Sequence, residues 1–365
     1  MSKVLIVAPS LNLGGSEKQA VKLANALSVN KYETLFVSLK KDEDIKDLLS
    51  SKCELYEFNM SLKSTPLIFS TGKSIIKYFT NLNNLKKIID KDTVIISFLF
   101  HASLTGYILK LLTGCKHIVT IRSDRFTKRS SKELVTRKNI MKYICKNSDF
   151  VVFNSEKSQK KYNELFNLQK NSILIDNLID EGKVSISEKN FNLNNLNGLY
   201  VGRLDDLKNL ENLFLSLNGN LKKNINLDIY GEGRNKEKYL KLIADYQLHK
   251  NIKFQGLDLD IIKKSQKYDF LILTSFHEGL PNVVLESMCN YLPVISTRVG
   301  DVTKLISENR GIFIDGFDKD SIEKAIFKYL SMPTDEKLLI IQYAHSYVNR
   351  NFNNINTIQK WKKLI

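Results

Sequence analysis

Short runs of β-branched and large apolar residues alternate with stretches of helical periodicity along the whole chain. Strand patterns read at 3–8, 33–38, 93–97, 117–121, 149–153 and 172–175, with helical patterns between them at about 15–28, 67–88, 101–112, 131–147 and 156–165. A second series of strands reads at 198–202, 226–230, 252–255, 269–274, 293–297 and 311–314, each followed by a helix. Strands separated by a helix return parallel, and a parallel sheet needs helices on both faces. The pattern therefore predicts α/β domains. A polar, Asn-rich stretch from Asp176 to Asn197 separates the two series, and 365 residues suit two domains. The expected division is 1–180 and 181–345, with 346–365 ending in a further helix. Open α/β sheets bind ligands at the carboxyl ends of their strands, so two such domains facing each other would enclose a central cleft.

Bulk properties narrow the function. Apolar residues make up 43%, enough for a core in each domain. Cys53, Cys115, Cys145 and Cys289 lie far apart without metal-ligand spacing, which suits a reduced, cytosolic compartment. The chain enters its first strand directly, with an apolar run too short for a signal peptide. No window of about 20 apolar residues predicts a transmembrane helix. The formal charge is +16, and residues 1–180 hold 29 Lys+Arg against 17 Asp+Glu. The densest run is Arg122, Arg125, Lys128, Arg129, Lys132, Arg137, Lys138, Lys142 and Lys146. Such a face suits phosphates, of nucleic acid or of an anionic membrane. A solvated Lys/Asn-rich surface accounts for it equally well.

Chemistry concentrates in Phe276-His277-Glu278-Gly279-Leu280-Pro281-Asn282-Val283-Val284-Leu285-Glu286. Leu271 to Thr274 reads as a buried strand, and Pro281 suits the first position of the next helix, where no N–H is needed. The free N–H groups and dipole of a helix start attract an anion. Glu278 precedes the helix and Glu286 lies in it, roughly 7–8 Å along the axis. A ligand with a phosphate at the helix start and hydroxyl-rich groups at either end would fit, and a sugar nucleotide has that shape. Two glutamates at this spacing are common by themselves, and Glu286 also reads as a solvated helix residue.

This stretch resembles the Glu-x7-Glu motif of the retaining glycosyltransferases of GT-B fold in glycosyltransferase family 4. The likeness continues through Glu286-Ser287-Met288-Cys289-Asn290-Tyr291-Leu292-Pro293-Val294-Ile295-Ser296-Thr297 and Val299-Gly300-Asp301. It is specific over most of the carboxyl half and weaker in the amino half. The resemblance implies two Rossmann-like domains with parallel sheets facing a central cleft. The first would be the acceptor side, the second would bind the nucleotide sugar, and the last helix would cross back to the first. It implies catalytic roles for Glu278, on the sugar, and for Arg203 and Lys208 of Gly202-Arg203-Leu204…Lys208-Asn209, on the donor diphosphate. Arg offers a planar fork to phosphate oxygens and Lys a mobile charge, where negative charge grows as the nucleotide leaves. Donor-binding positions would be Gly15, Gly231, Phe254 with its neighbours' backbone, Gly279, Leu280, Pro281, Asn282 and Glu286. His101 would face the acceptor. Many members carry a histidine after a Val-x-Thr strand; here Val119-Thr120-Ile121-Arg122-Ser123-Asp124 lacks it, and Arg122 and Asp124 stand near its place.

Other motifs fail on spacing. The third glycine of a dinucleotide fingerprint begun at Gly231 would fall at Lys236. Asp258-Leu259-Asp260 is the metal motif of a different glycosyltransferase fold, and GT-B members usually need no metal, so neither metal nor cofactor is expected. The expected donor is a UDP-sugar ahead of a GDP-sugar. The expected acceptor is a lipid-linked or free glycan in bacterial surface polysaccharide assembly, such as O-antigen or capsule. The enzyme would sit at the inner face of the cytoplasmic membrane, on an anionic surface. A sugar-nucleotide epimerase of the same architecture is the runner-up, though five histidines form no cluster. A basic nucleic-acid-binding α/β protein is the other alternative. It lacks aromatic–basic interleaving or any known module, so no nucleic-acid partner is expected.

Overall fold

The computed structural model describes residues 2–41, 44–60, 72–122, 132–168, 171–180, 186 and 196–365. It divides into two compact units, Met1–Leu178 with Asn354–Ile365, and Ile179–Asn353.

The first unit runs β1 (Lys3–Ala8), α1 (Gly15–Val29), β2 (Glu33–Ser38), β3 (Glu54–Glu57), α2 (Gly72–Ile88), β4 (Val94–Phe98), α3 (Leu99–Thr113), β5 (Lys116–Ile121), α4 (Lys132–Asn147), β6 (Phe150–Phe153), α5 (Glu156–Phe166) and β7 (Ser172–Leu174). Its sheet has the order β3-β2-β1-β4-β5-β6-β7, with every pair parallel. Val4 to Ala8 and Val94 to Phe98 are buried on both faces, which is why these strands are continuous apolar runs rather than alternating ones.

The second unit runs β8 (Leu196–Val201), α6 (Leu210–Leu217), β9 (Ile225–Tyr230), α7 (Lys236–Asp245), β10 (Ile252–Gly256), β11 (Phe270–Leu273), α8 (Asn282–Cys289), β12 (Val294–Thr297), α9 (Val302–Leu305), β13 (Ile312–Ile314), α10 (Lys319–Leu330) and α11 (Thr334–Asn351). Its sheet order is β10-β9-β8-β11-β12-β13, again parallel. The final helix, α12 (Asn354–Lys362), belongs to the first unit. Trp361 is buried there, Lys360 pairs with Asp176 at 2.9 Å, and Lys116 Nζ donates to the carbonyl of Leu364. The return segment starts at Asn354 rather than 346, because α11 packs on α8 within the second unit.

Each sheet reverses its winding between two neighbouring strands, β1 and β4 in the first unit and β8 and β11 in the second. At such a switch point the following connections diverge to opposite faces and leave a crevice at the strands' carboxyl ends. Three local expectations are corrected. β3 was not expected, because Glu-Leu-Tyr-Glu is short and half acidic; it gains its place by pairing Leu55 with Phe36 at the sheet edge. Pro281 is the N-cap of α8, in extended conformation, rather than its first helical residue. His101 is the third residue of α3, which begins at Leu99 with φ +66°.

Candidate active site

The loops after β8 and β11, the switch-point strands of the second unit, are tied together by backbone and hydroxyl contacts. Phe276 N–H donates to the carbonyl of Leu207 at 2.9 Å, and Thr274 Oγ1 donates to the carbonyl of Lys208 at 2.9 Å. Asp205 caps the single 3-10 turn Asp206–Lys208 through the N–H of Leu207. On this base Lys208 Nζ reaches Glu278 Oε1 at 2.5 Å, and Ser275 Oγ donates to the same oxygen at 2.7 Å. The two charged side chains are 15% and 13% exposed, so their attraction is screened less than that of a surface pair. Glu278 Oε2 takes no bond from any described residue. Tyr200 lies beneath; its phenol is held protonated by burial first, then by the nearby carboxylates of Glu278 and Asp205.

The backbone around Glu278 is supported from below. Gly300, at φ +50°, passes so close that an added Cβ would stand 2.2 Å from the Glu278 carbonyl oxygen and 2.4 Å from that of Gly279. Asp301 N–H donates to the Gly279 carbonyl at 2.9 Å. On the other side Gly279 is open: a Cβ there would meet nothing within 4 Å. Leu280 is buried in the core, and α8 starts at Asn282 without a side-chain cap. The positive end of the helix dipole lies there, which favours an anion.

The remaining expected residues are placed less uniformly. Glu286 is on α8 but only 7% exposed, with Lys263 in electrostatic range; Asp260 first, then Asp180 and Glu286, raise that ammonium's pKa. Arg203 pairs with Asp205 at 3.1 Å and is 56% exposed, outside the Lys208–Glu278–Ser275 cluster. Gly231 meets backbone: at φ +154° its Cβ would be 1.9 Å from the Gly202 carbonyl oxygen, so glycine lets β9's loop lie on β8's. The Phe254 ring packs edge-on against Phe214 in the core, 6.4 Å between centroids. Asp258 and Asp260 are taken by Lys264 and Lys263, and no metal-binding group of acids, histidines or cysteines gathers among the described residues.

In the first unit Gly15 opens α1, after Gly14. His101 is neutral, its pKa brought down to about 4 by burial first, then by Arg137 and Lys40, and its buried Nε2 has no hydrogen-bond partner among the described residues. Arg122 follows β5, lies 5.5 Å over the Phe98 ring and donates from Nη1 to Asn177 Oδ1 at 2.5 Å. Burial lowers its pKa to about 10, Asp176 opposing, and its buried Nε has no hydrogen-bond partner among the described residues. Arg137 lies 5.5 Å over Phe100. Asp124, like Arg125, Lys128 and Arg129, lies outside the described residues. Thr274, Ser275 and the packing role of Gly300 went unforeseen. The available signal was two hydroxyl residues at the end of an apolar strand, three residues ahead of a glutamate.

Residues 184–346 match the protein family described as Glycosyl transferases group 1. Over its whole length the chain is 25% identical to an α-1,4-N-acetyl-D-galactosaminyltransferase of Campylobacter jejuni, whose name gives a diphospho-undecaprenol-linked glycan as substrate; 98% of that protein is covered. A second C. jejuni relative, an N-acetylgalactosamine-N,N'-diacetylbacillosaminyl-diphospho-undecaprenol 4-α-N-acetylgalactosaminyltransferase, is 25% identical over 93% of this chain and 92% of its own. Among solved structures, Anabaena HepE in complex with UDP and glucose superposes with a TM-score of 0.81 at 17% identity, covering 100% of this chain and 99% of that one. Sucrose-phosphate synthase from Thermosynechococcus elongatus gives 0.81 at 17% identity, over 100% and 98%. The fold is GT-B.

Proposed function

We propose that this chain, a glycosyltransferase of the GT-B type, is a retaining enzyme of family 4 that moves a sugar from a UDP-sugar to a glycan carried on a lipid diphosphate. The observation that carries the reading is the Lys208–Glu278–Ser275 cluster at the second unit's switch point, on the loop that leads into the N-terminus of α8. The donor diphosphate takes the α8 N–H groups and the Lys208 ammonium, with Arg203 swinging in from Asp205. Glu278 Oε2 accepts from hydroxyls of the sugar. The bond from C1 to the β-phosphate oxygen breaks while the acceptor oxygen bonds C1 on the same face, and the departing phosphate takes the acceptor's proton. Positive charge at the diphosphate lowers that barrier without a metal, so activity in EDTA is part of the reading.

The acceptor side is argued from the first unit. Arg122, over Phe98, and Arg137, over Phe100, put positive charge at the carboxyl edge of β4 and β5, and together with Lys40 and burial Arg137 keeps the neighbouring His101 neutral. Such a cluster suits an acceptor diphosphate, the group named in the C. jejuni relatives' substrates. Exposed Ile76 and Phe79 on α2, beside Lys77, with the unit's excess of basic residues, suit an anionic membrane surface. No helix of the described residues is long and apolar enough to cross a membrane. Surface polysaccharide assembly, of O-antigen or capsule type, is the pathway that fits.

The test is a thermal-shift panel of UDP-, GDP-, TDP- and ADP-sugars, followed by transfer to an undecaprenyl-diphosphate-linked glycan with the product anomer read by NMR. UDP-sugars are expected to raise Tm most, since ligand bound only to the native state stabilises it. No shift with any sugar nucleotide would end the reading. An inverted product would end the retaining mechanism, and turnover only with added Mg²⁺ or Mn²⁺ would end the metal-free one.

A further inference from the structure

We propose that Ser275 is a positioning residue for the donor sugar: its hydroxyl, together with the Lys208 ammonium, holds Glu278 by one oxygen so that the other is presented to the sugar. This rests on the reading of Glu278 as a sugar ligand and deepens it. Ser275 follows β11 and is fully buried. Its Oγ donates to Glu278 Oε1 at 2.7 Å, and Lys208 Nζ reaches that same oxygen at 2.5 Å. The terminal torsion of a glutamate is broad and roughly two-fold, so a lone ammonium leaves the carboxylate free to turn and exchange its oxygens. A second donor, coming from a different loop, fixes the plane and keeps Oε2 outward.

Ser275 is itself held. Its carbonyl accepts from Thr297 Oγ1 of β12 at 2.7 Å. Its two neighbours bind the Lys208 loop, Thr274 through the carbonyl of Lys208 and Phe276 through that of Leu207. Three consecutive residues thus set both members of the ion pair. A buried hydroxyl needs a partner, and most find a nearby carbonyl, as Ser216 does with Leu213 O at 2.7 Å in α6. Ser275 bonds instead to the carboxylate three residues on.

The experiment is calorimetric titration of the full chain with UDP and with UDP-glucose, UDP-N-acetylglucosamine and UDP-N-acetylgalactosamine. It compares wild type, Ser275→Ala, Ser275→Cys, Glu278→Gln and the Ser275→Ala/Glu278→Gln double variant, with Ser216→Ala as the packing control. The readout is the ratio of UDP-sugar to UDP affinity. Ser275→Ala is expected to lower that ratio about tenfold, the scale of one hydrogen bond to a charged group, with UDP affinity nearly unchanged. Ser275→Cys keeps the volume with a weak donor and should do the same if Ser275→Ala folds poorly. In the Glu278→Gln background the effect should vanish. A ratio unchanged by both Ser275 variants, equal losses for UDP and UDP-sugar, or an undiminished effect without Glu278 would each overturn the proposal alone. A wild type that binds none of the probes would remove the functional reading and this inference with it.

Discussion

At the scale of single residues, the Lys208–Glu278 pair is both a structural and a chemical unit. Removing either partner leaves the other partly buried and unpaired. Lys208→Ala should lower stability by about 1.5–3 kcal/mol, the worth of a charged hydrogen bond. It should reduce turnover further than that change in folding explains. Chemical denaturation alongside UDP-release kinetics checks both; full turnover would take Lys208 out of the site. A second residue has a pH signature. His117 is buried between Ser97 and Ser148, hydrogen-bonded at 2.8 and 3.0 Å, and burial lowers its pKa to about 3. The unfolded chain, at about 6.5, binds the proton first. Stability is therefore complete above pH 6.5 and falls as the pH drops toward 3. Between pH 6.5 and 5 the loss should reach about 2 kcal/mol, from the free-energy value of a pKa difference. His117→Asn should flatten that slope in urea titrations; an unchanged slope would show that the acid sensitivity arises elsewhere.

At the scale of elements, the turn between β12 and α9 holds the Glu278 loop, so the two glycines flanking that contact should respond oppositely. Gly300→Ala adds a Cβ against two carbonyl oxygens at positive φ. It should cost more than about 2 kcal/mol, combining left-handed strain and overpacking, and should weaken donor binding with it. Gly279→Ala meets open space. It should fold with wild-type stability, so any loss of UDP-sugar affinity reports ligand passing close to that backbone. Equal Tm values for the two variants would contradict this placement. The same elements show what a sequence can and cannot reveal. Apolar runs such as Val4–Ala8 and Val94–Phe98 reveal parallel strands because burial on both faces demands them. Glu278 and Lys208 were singled out from the sequence by their motifs, but their ion pair across two loops was not legible there. Ser275 was not singled out, since a serine at a strand end has many uses and only the fold shows which acceptor it meets. The Phe254 ring was likewise not legible: the expectation there concerned the backbone of its loop, and only the fold shows the ring against Phe214.

At the scale of the whole molecule, the chain's one tryptophan, Trp361, lies in the first unit at 1% exposure although nearly all of that unit's sequence ends at Leu178. Trp361→Ala should destabilise the first unit by about 3–5 kcal/mol, as for other buried aromatics cut to alanine. UDP-sugar binding to the second unit should persist below the new transition. Hydrogen exchange resolved by segment would check this, with faster exchange expected in β1 to β7 and not in β8 to β13. The arrangement also bears on how the protein is made. A ribosome releases the second unit as one continuous stretch, residues 179–353, before it has made the helix that closes the first. All described strands of the first sheet have emerged by Leu174, yet the unit stays incomplete while about 180 further residues are added, some ten to forty seconds at ordinary elongation rates. During that interval the surface that Trp361 later covers is exposed, so nascent chains halted before Asn354 are the forms that should recruit chaperones.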